Sequence, residues 1–232
     1  MTMNVISNYR TRVKICGVTC LEDALCAANA GADAIGLNFY QKSKRVISLA
    51  DAVKIQRKLP AFFSTVAVFV NAEESEVKIV ADALKPTLLQ FHGDESPQYC
   101  EALSLKTNIP YLKAVSVGVD TNLLQYAVAY SSAVALLLDT AVLGEYGGSG
   151  QRFDWNLIPE SMRSKIILSG GLRVENVAQA VQQIKPWAVD VASGVEPIAG
   201  LKGIKDHVLI QRFVKATTDT VASTEATTNG QL

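Results

Sequence analysis

From Val13 onward, short runs of apolar residues alternate with stretches whose apolar positions recur every three or four residues. The short runs lie near 13–17, 33–39, 63–70, 86–91, 109–115, 133–139, 165–170 and 187–193. Near-continuous apolar runs of this length predict strands buried on both faces. Between them, Leu21-Ala24-Leu25-Ala28, Ala52-Val53-Ile55-Leu59, Val77-Val80-Ala81-Leu84 and Leu123-Leu124-Ala127-Val128 have the spacing of one helical face. Gly31 follows the first of these, Pro60 ends the second and Pro86 follows the third. Strands alternating with helices imply a parallel sheet. Eight such units predict a single (β/α)8 barrel, an architecture that takes ~200–250 residues. An open doubly wound sheet is the alternative. Against it, the first strand runs into Cys16-Gly17-Val18 and not into a GxGxxG turn.

The pattern also sets boundaries. Residues 1–11 carry no periodicity and are expected to form a loose leader, with the barrel over 12–216. Residues 217–232 are rich in Thr, Ser and Ala, and a disordered tail is expected there.

One stretch repeats a motif. Ile166-Ile167-Leu168 stops at Ser169-Gly170-Gly171, and a helical pattern through Val174, Val177, Ala178 and Val181 follows. A second strand pattern, Trp187 to Val191, then stops at Ser193-Gly194. Strand ends made of small residues leave backbone N–H groups unobstructed, and a helix N-terminus adds positive dipole. In a barrel, the loops after strands 7 and 8 are where a phosphate is usually held. Gly170, Gly171, Ser193 and Gly194 are therefore candidates for a phosphate cup. The plainer reading is that these glycines only turn the chain.

Composition narrows the partners. The 232 residues are 49% hydrophobic, with 22 Lys and Arg against 22 Asp and Glu. Balanced charge gives no polyanion-binding signal, so nucleic acid is not an expected partner. No run approaches ~18 apolar residues, so no membrane span is expected. Four cysteines without a CxxC pair, and only two histidines, make a metal site unexpected. The first twelve residues lack the apolar core of a signal peptide, and a cytoplasmic location with free thiols is the expectation.

Barrel enzymes work at the C-terminal ends of their strands. Strand 1 ends at Cys16, and strand 2 at Asn38-Phe39 before the basic run Lys42-Ser43-Lys44-Arg45. Strand 3 ends at Asn71, strand 4 at Gln90-Phe91-His92 and strand 6 at Asp139. Strand 6 neighbours strand 7, and strand 8 closes on strand 1. A phosphate at strands 7 and 8 is thus flanked by a carboxyl and a thiol, a layout for moving a proton along a sugar phosphate. Each residue has a duller reading. Cys16 can be a buried small hydrophobe, Asp139 a turn cap, Lys42–Arg45 a solvated loop and His92 a strand-end hydrogen-bonder. Gly147-Gly148-Ser149-Gly150 is not a P-loop, since no Gly-Lys-Ser/Thr closes it; it sits where a mobile lid would go.

These residues resemble the phosphoribosylanthranilate isomerase family. The matching stretches are VKICGVT (13–19), EDALCAANAGADAIGLNFYQKSKRVIS (22–48), VAVFVN (66–71), LLQFHGDE (88–95), LLLDT (136–140), GGSGQRFDW (147–155), LSGGLRVENV (168–177) and DVASGVE (190–196). They run in family order over residues 13 to about 213. The resemblance implies a (β/α)8 barrel and an enzyme of tryptophan biosynthesis. Its reaction is the Amadori rearrangement of N-(5-phosphoribosyl)anthranilate to 1-(2-carboxyphenylamino)-1-deoxyribulose 5-phosphate, with no metal or cofactor. It implies Cys16 as general base and Asp139 as general acid. It places Arg45 on the anthranilate carboxylate and the phosphate on Gly170, Gly171, Ser193 and Gly194; His92, from its place at the end of strand 4, is a further substrate-binding candidate. The partner is the phosphorylated substrate, and the protein is a monomer or a homodimer.

Three departures from the family pattern stand out. Gln41 replaces the usual Pro in the Arg45 loop. Ala192 replaces a small hydroxyl residue before Ser193. The stretch 196–206 is longer and lacks Pro-Gly. The implied mechanism needs a protonated Asp139 and a Cys16 thiolate, whereas free groups ionise in the opposite order, at ~3.9 and ~8.5. Lys14 faces the same side of strand 1 as Cys16 and can favour the thiolate, with Asp190 on strand 8 as its expected counter-ion. The plainer reading, and the one favoured at this point, is a purely structural Lys14–Asp190 pair. Two rival functions remain at this point. One is a different aryl-amino sugar phosphate enzyme such as indole-glycerol-phosphate synthase, whose chemistry needs a Lys and Glu pair. The other is a silent, ligand-sensing barrel.

Overall fold

The computed structural model describes residues 10–140, 152–197 and 203–228 of the chain. Eight strands, β1 (Arg12–Cys16), β2 (Ala34–Asn38), β3 (Ser64–Phe69), β4 (Leu88–Phe91), β5 (Tyr111–Val117), β6 (Ala135–Thr140), β7 (Ile167–Leu168) and β8 (Ala188–Val191), form one closed parallel barrel in sequence order. The helices between them are α1 (Leu21–Asn29), α2 (Leu49–Gln56), α3 (Glu74–Leu84), α4 (Pro97–Thr107), α5 (Leu123–Ala129), α6 (Glu160–Arg163), α7 (Val177–Ile184) and α8 (His207–Thr228). The expected (β/α)8 architecture is the one observed, and the open sheet is excluded by the pairing of β1 with β8.

Strand alternation sorts the side chains into two cores. Val66, Val68, Leu112, Ala114, Leu137, Ile167 and Ala188 fill the barrel interior, with Cys16 packed against them. The intervening residues, such as Ile15, Ile35, Leu89 and Leu138, point outward under the helices. Local chemistry sets the helix ends. The hydroxyl of Ser48 accepts the Asp51 N–H and starts α2, and Ser96 before Pro97 accepts the Tyr99 N–H and starts α4. Lys85, Asn108 and Lys185 close α3, α4 and α7 in the left-handed conformation.

The structure differs from the sequence pattern in five places. Helix α2 starts at Leu49 and stops at Gln56, because the Ser48 cap sets its register ahead of the apolar stripe. Helix α4 is not visible in the hydrophobic pattern: only Cys100 and Leu103 are buried, and Leu105 is 77% exposed. Helix α7 begins at Val177, since Asn176 spends its amide on the Arg173 N–H and the Gly171 carbonyl and holds 171–176 as a turn. Helix α8 continues past residue 217, where a disordered tail is expected. Thr217 is fully buried and its hydroxyl donates to the Phe213 carbonyl at 2.9 Å, so it extends the stripe of Ile210, Phe213 and Val214. At the other end, the last two residues of the expected leader belong to the barrel floor. Arg10 pairs with Asp33, and the buried Thr11 hydroxyl donates to the Pro186 carbonyl. Residues 1–9, the glycine-rich expected lid at 147–150 and residues 198–202 lie outside the described residues.

A buried ion pair anchors the outer layer under β4 and β5. Lys113 and Glu95 meet at 2.8 Å with side chains 3% and 2% exposed. Glu95 also accepts the N–H groups of Asn71 and Gly93, and Lys113 donates to the Gly93 carbonyl. Removing one member of such a pair strands the other charge, at a cost of about 3–5 kcal/mol. Glu95→Ala is expected to lose stability in that range by denaturant unfolding; a loss below about 1 kcal/mol would mean that water reaches Lys113.

Candidate functional site

The C-terminal rim brings the expected residues onto the inward faces of neighbouring strands. On β1, Lys14 and Cys16 point inward; on β8, Asp190 does the same at the register of Lys14. The Lys14 Nζ lies 2.9 Å from the Asp190 Oδ1, both side chains being almost wholly buried. This is the counter-ion expected from the sequence.

Cys16 needs room, and β2 supplies it. Gly36 is its register partner, and a β-carbon there would sit 2.7 Å from the Cys16 Sγ and 3.1 Å from the Lys14 Cε. Burial is the largest influence on the thiol and raises its pKa above the ordinary range; Lys14 and Lys205 act in the opposite direction. Burial also pushes Cys20 to about 11 and Cys100 to about 12, but Cys16 is the thiol flanked by two lysines.

Arg45 leans over the end of β1. Its side chain packs where a β-carbon on Gly17 would be. Its Nε and Nη2 donate to the Glu196 carboxylate at 2.6 and 2.8 Å. The Lys205 ammonium, with a fully buried side chain, donates to the same carboxylate at 3.0 Å and to the Ala192 carbonyl at 2.9 Å. Two cations on one carboxylate hold the Glu196 pKa below its usual value despite burial. Burial, with Arg45 nearby, lowers the Lys205 pKa although Glu196 opposes it. Of the three departures from the family pattern, Ala192 is neutral here, because the contact to Lys205 uses its backbone. Gln41 donates to the Phe39 carbonyl, and the Arg45 loop is also pinned by Asn38 to Ser43 and by Ser43 to the Arg45 N–H.

Asp139 sits at the end of β6, 6% exposed. Its Oδ1 accepts the Thr140 N–H at 2.8 Å, and its Oδ2 lies 3.3 Å from the His92 Nε2. His92, at the end of β4, is in turn 2.8 Å from the Gln90 side-chain nitrogen through its Nδ1. The structure therefore gives His92 a partner in Asp139. The β7 and β8 loops touch: a β-carbon on Gly194 would collide with the Leu172 carbonyl oxygen. Gly170 and Gly171 have φ of 81° and 62°, and a β-carbon on Gly170 would lie 3.0 Å from the Asp139 Oδ1. Gly170 thus stands beside Asp139, and Gly194 is the tightest point of the expected cup.

Four residues here are absent from the candidates read in the sequence: Gly36, Glu196, Lys205 and Gln90. Period-two alternation from Cys16's neighbour strand and from His92 identifies Gly36 and Gln90 as inward-facing. Nothing local marks Lys205, which follows the loop after strand 8 and reaches the site only through the closed fold.

A family model described as N-(5'-phosphoribosyl)anthranilate isomerase matches residues 13–216. The protein of that name from Nitrosospira multiformis is 50% identical over 204 residues, covering 88% of this chain and 95% of the relative. The crystal structure of phosphoribosyl anthranilate isomerase from Thermotoga maritima is similar at a TM-score of 0.79 and 41% identity, over 90% of this chain and 99% of that one. A crystal structure of a phosphoribosyl anthranilate isomerase in complex with reduced 1-(o-carboxyphenylamino)-1-deoxyribulose 5-phosphate is similar at a TM-score of 0.76 and 41% identity, with the same coverage.

The space that Gly36 leaves for the thiol generates a prediction. Gly36→Ala forces the Cys16 Sγ aside, an overpacking that costs about 1–3 kcal/mol. The expected result is a folded barrel whose Cys16 reacts with a thiol reagent at a changed rate and whose turnover falls at least about tenfold, the loss expected of a thiol whose placement the reaction needs. Wild-type turnover in this variant would show that the thiol's position is not demanding.

Proposed function

Because the chain belongs to the N-(5'-phosphoribosyl)anthranilate isomerase family, whose members carry out the Amadori rearrangement of tryptophan biosynthesis, we propose that Cys16 is the base and Asp139 the acid of that reaction. Asp139 protonates the furanose ring oxygen, and the ring opens to a Schiff base with the anthranilate nitrogen. The Cys16 thiolate removes the proton from C2, and the enolamine tautomerises to the ketone. The observation that carries this assignment is the placing of a half-buried thiol on β1 and a buried carboxyl on β6, on either side of the glycine-bearing ends of β7 and β8.

The charges around the thiol support the base role. Lys14, Arg45 and Lys205 stand against Asp190 and Glu196, three cations to two carboxylates, and both lysines lower the Cys16 pKa against burial. A thiol raised by burial is thiolate only above its shifted pKa, and below that point the thiolate fraction falls tenfold per pH unit. The productive state, thiolate with carboxylic acid, is then a minority form, and a bell-shaped kcat/KM profile reports the coupled pair.

The Gly170, Gly171, Ser193 and Gly194 backbone holds the phosphate in this scheme. Arg45 offers its remaining guanidinium edge to the anthranilate carboxylate, with Glu196 and Lys205 holding it in place. His92 supports Asp139 from the opposite side of the carboxyl. A cytoplasmic location fits an enzyme of this pathway, and no helix among the described residues is long and apolar enough to cross a membrane.

Turnover of N-(5'-phosphoribosyl)anthranilate, followed by loss of substrate fluorescence, tests the roles. Cys16→Ala and Asp139→Asn should each lower kcat by ~10²–10⁴ with little change in KM, and Cys16→Ser should be nearly as damaging. Asp139→Asn retaining more than about a tenth of kcat would mean less than ~1.4 kcal/mol of barrier lost, too little for a general acid. Arg45→Ala should instead raise KM about ten- to a hundredfold, for the loss of a charge-assisted contact worth ~1.5–3 kcal/mol. Unchanged KM with collapsed kcat would remove Arg45 from the carboxylate.

A further inference from the structure

Gln90 is wholly buried on the inward face of β4, and its amide nitrogen lies 2.8 Å from the His92 Nδ1. Its amide oxygen is buried and has no hydrogen-bond partner among the described residues. A half-satisfied buried amide carries a desolvation cost that an apolar residue of similar shape would avoid. Packing alone does not explain it. The other end of the imidazole does: the His92 Nε2 lies 3.3 Å from the Asp139 Oδ2.

We propose that Gln90 is a positioning residue for the general acid: its amide N–H holds His92 as the Nε2–H tautomer, so that His92 is a fixed donor to the Asp139 Oδ2 and the proton Asp139 transfers leaves from Oδ1. A neutral imidazole has one donor and one acceptor nitrogen. The Gln90 amide nitrogen can only donate, so the Nδ1 it faces is the acceptor and Nε2 carries the proton toward Asp139. His92 cannot pass its Nε2 proton to Asp139 without becoming an imidazolate. It is therefore a support for the acid and not a relay. Each carboxyl oxygen already takes one donor, Oδ2 from His92 and Oδ1 from Thr140, so it is position that singles out Oδ1 for the proton. That oxygen uses one lone pair for the Thr140 N–H, and it faces Gly170 at the end of β7. The proton is thereby aimed toward the expected phosphate cup, where the sugar must lie. This inference rests on Asp139 being the acid, but its structural half does not depend on activity.

The chain has two histidines, His92 and His207, so nitrogen-15 labelling of histidine gives two ring spectra. His207→Gln identifies the His92 signals. The expected wild-type spectrum has a bare, pyridine-type Nδ1 and a protonated Nε2 on His92. Gln90→Glu puts an acceptor where the amide N–H was. It should place a proton on the His92 Nδ1 and lower kcat about tenfold, a part of the ~10²–10⁴ that a general acid supplies. KM should stay within about twofold, since no group touching the ground-state substrate is removed. Gln90→Leu should release the tautomer preference and lower kcat in the same direction. A protonated Nδ1 in the wild-type protein overturns the proposal without any variant. So does an unchanged His92 spectrum, or an unchanged kcat, in Gln90→Glu. If the spectra behave as expected while Asp139→Asn keeps full turnover, the tautomer assignment stands and the acid role of Asp139 falls.

Discussion

A barrel closes only where its first and last strands meet, and here that seam carries the Lys14–Asp190 ion pair. The two residues are register partners on β1 and β8, and their contact crosses the interior at 2.9 Å. Neither charge is stable there alone: breaking a buried pair by removing one partner costs about 3–5 kcal/mol. Burial lowers the Lys14 pKa, but Asp190 and Cys16 outweigh it, so the ammonium persists. The pair thus favours one strand register at closure. That register sets Cys16 two residues further along β1 at the rim. The structural and chemical readings of Lys14 are not alternatives, because the same ammonium both closes the seam and faces the thiol.

From this seam the site spreads through ion pairs and loop contacts. Arg45 joins the β2 loop to the β8 loop through Glu196, and Lys205 brings the segment before α8 onto the same carboxylate. The Thr19 hydroxyl donates to the Gly203 carbonyl, tying the β1 loop to that segment. On the far side, Gln90, His92 and Asp139 form a second chain from β4 to β6. Cys16 therefore belongs to a half of the mouth that carries Lys14, Arg45 and Lys205, and Asp139 to a half where it meets His92 and the Thr140 N–H. This division suits a reaction in which one group must lose a proton and the other must hold one.

Much of this was visible in the chain before the fold. Near-continuous apolar runs mark all eight strands because a barrel strand is buried on both faces. Cys16 and Asp139 are legible as strand-end residues, and the Lys14–Asp190 contact follows from alternation and ring closure. What was hidden is hidden for physical reasons. Helix α4 buries only two side chains on its stripe, so periodicity carries little signal. Thr217 looks like tail composition, yet its hydroxyl bonds within α8 and its surface is buried. Lys205 reaches Glu196 only once the closed barrel brings their segments together. The position of Arg45 beside Glu196 depends on a contact between residues 151 positions apart.

The central claim is that the Cys16 thiolate removes the C2 proton. The most direct test is the kinetic isotope effect on kcat for substrate deuterated at ribosyl C2, compared between the wild-type protein and Cys16→Ser. A weaker base makes proton removal more limiting, so the effect should grow in Cys16→Ser toward its full primary value. An effect that stays the same or shrinks in that variant would contradict the claim, because the C2 proton would then be leaving to some other group.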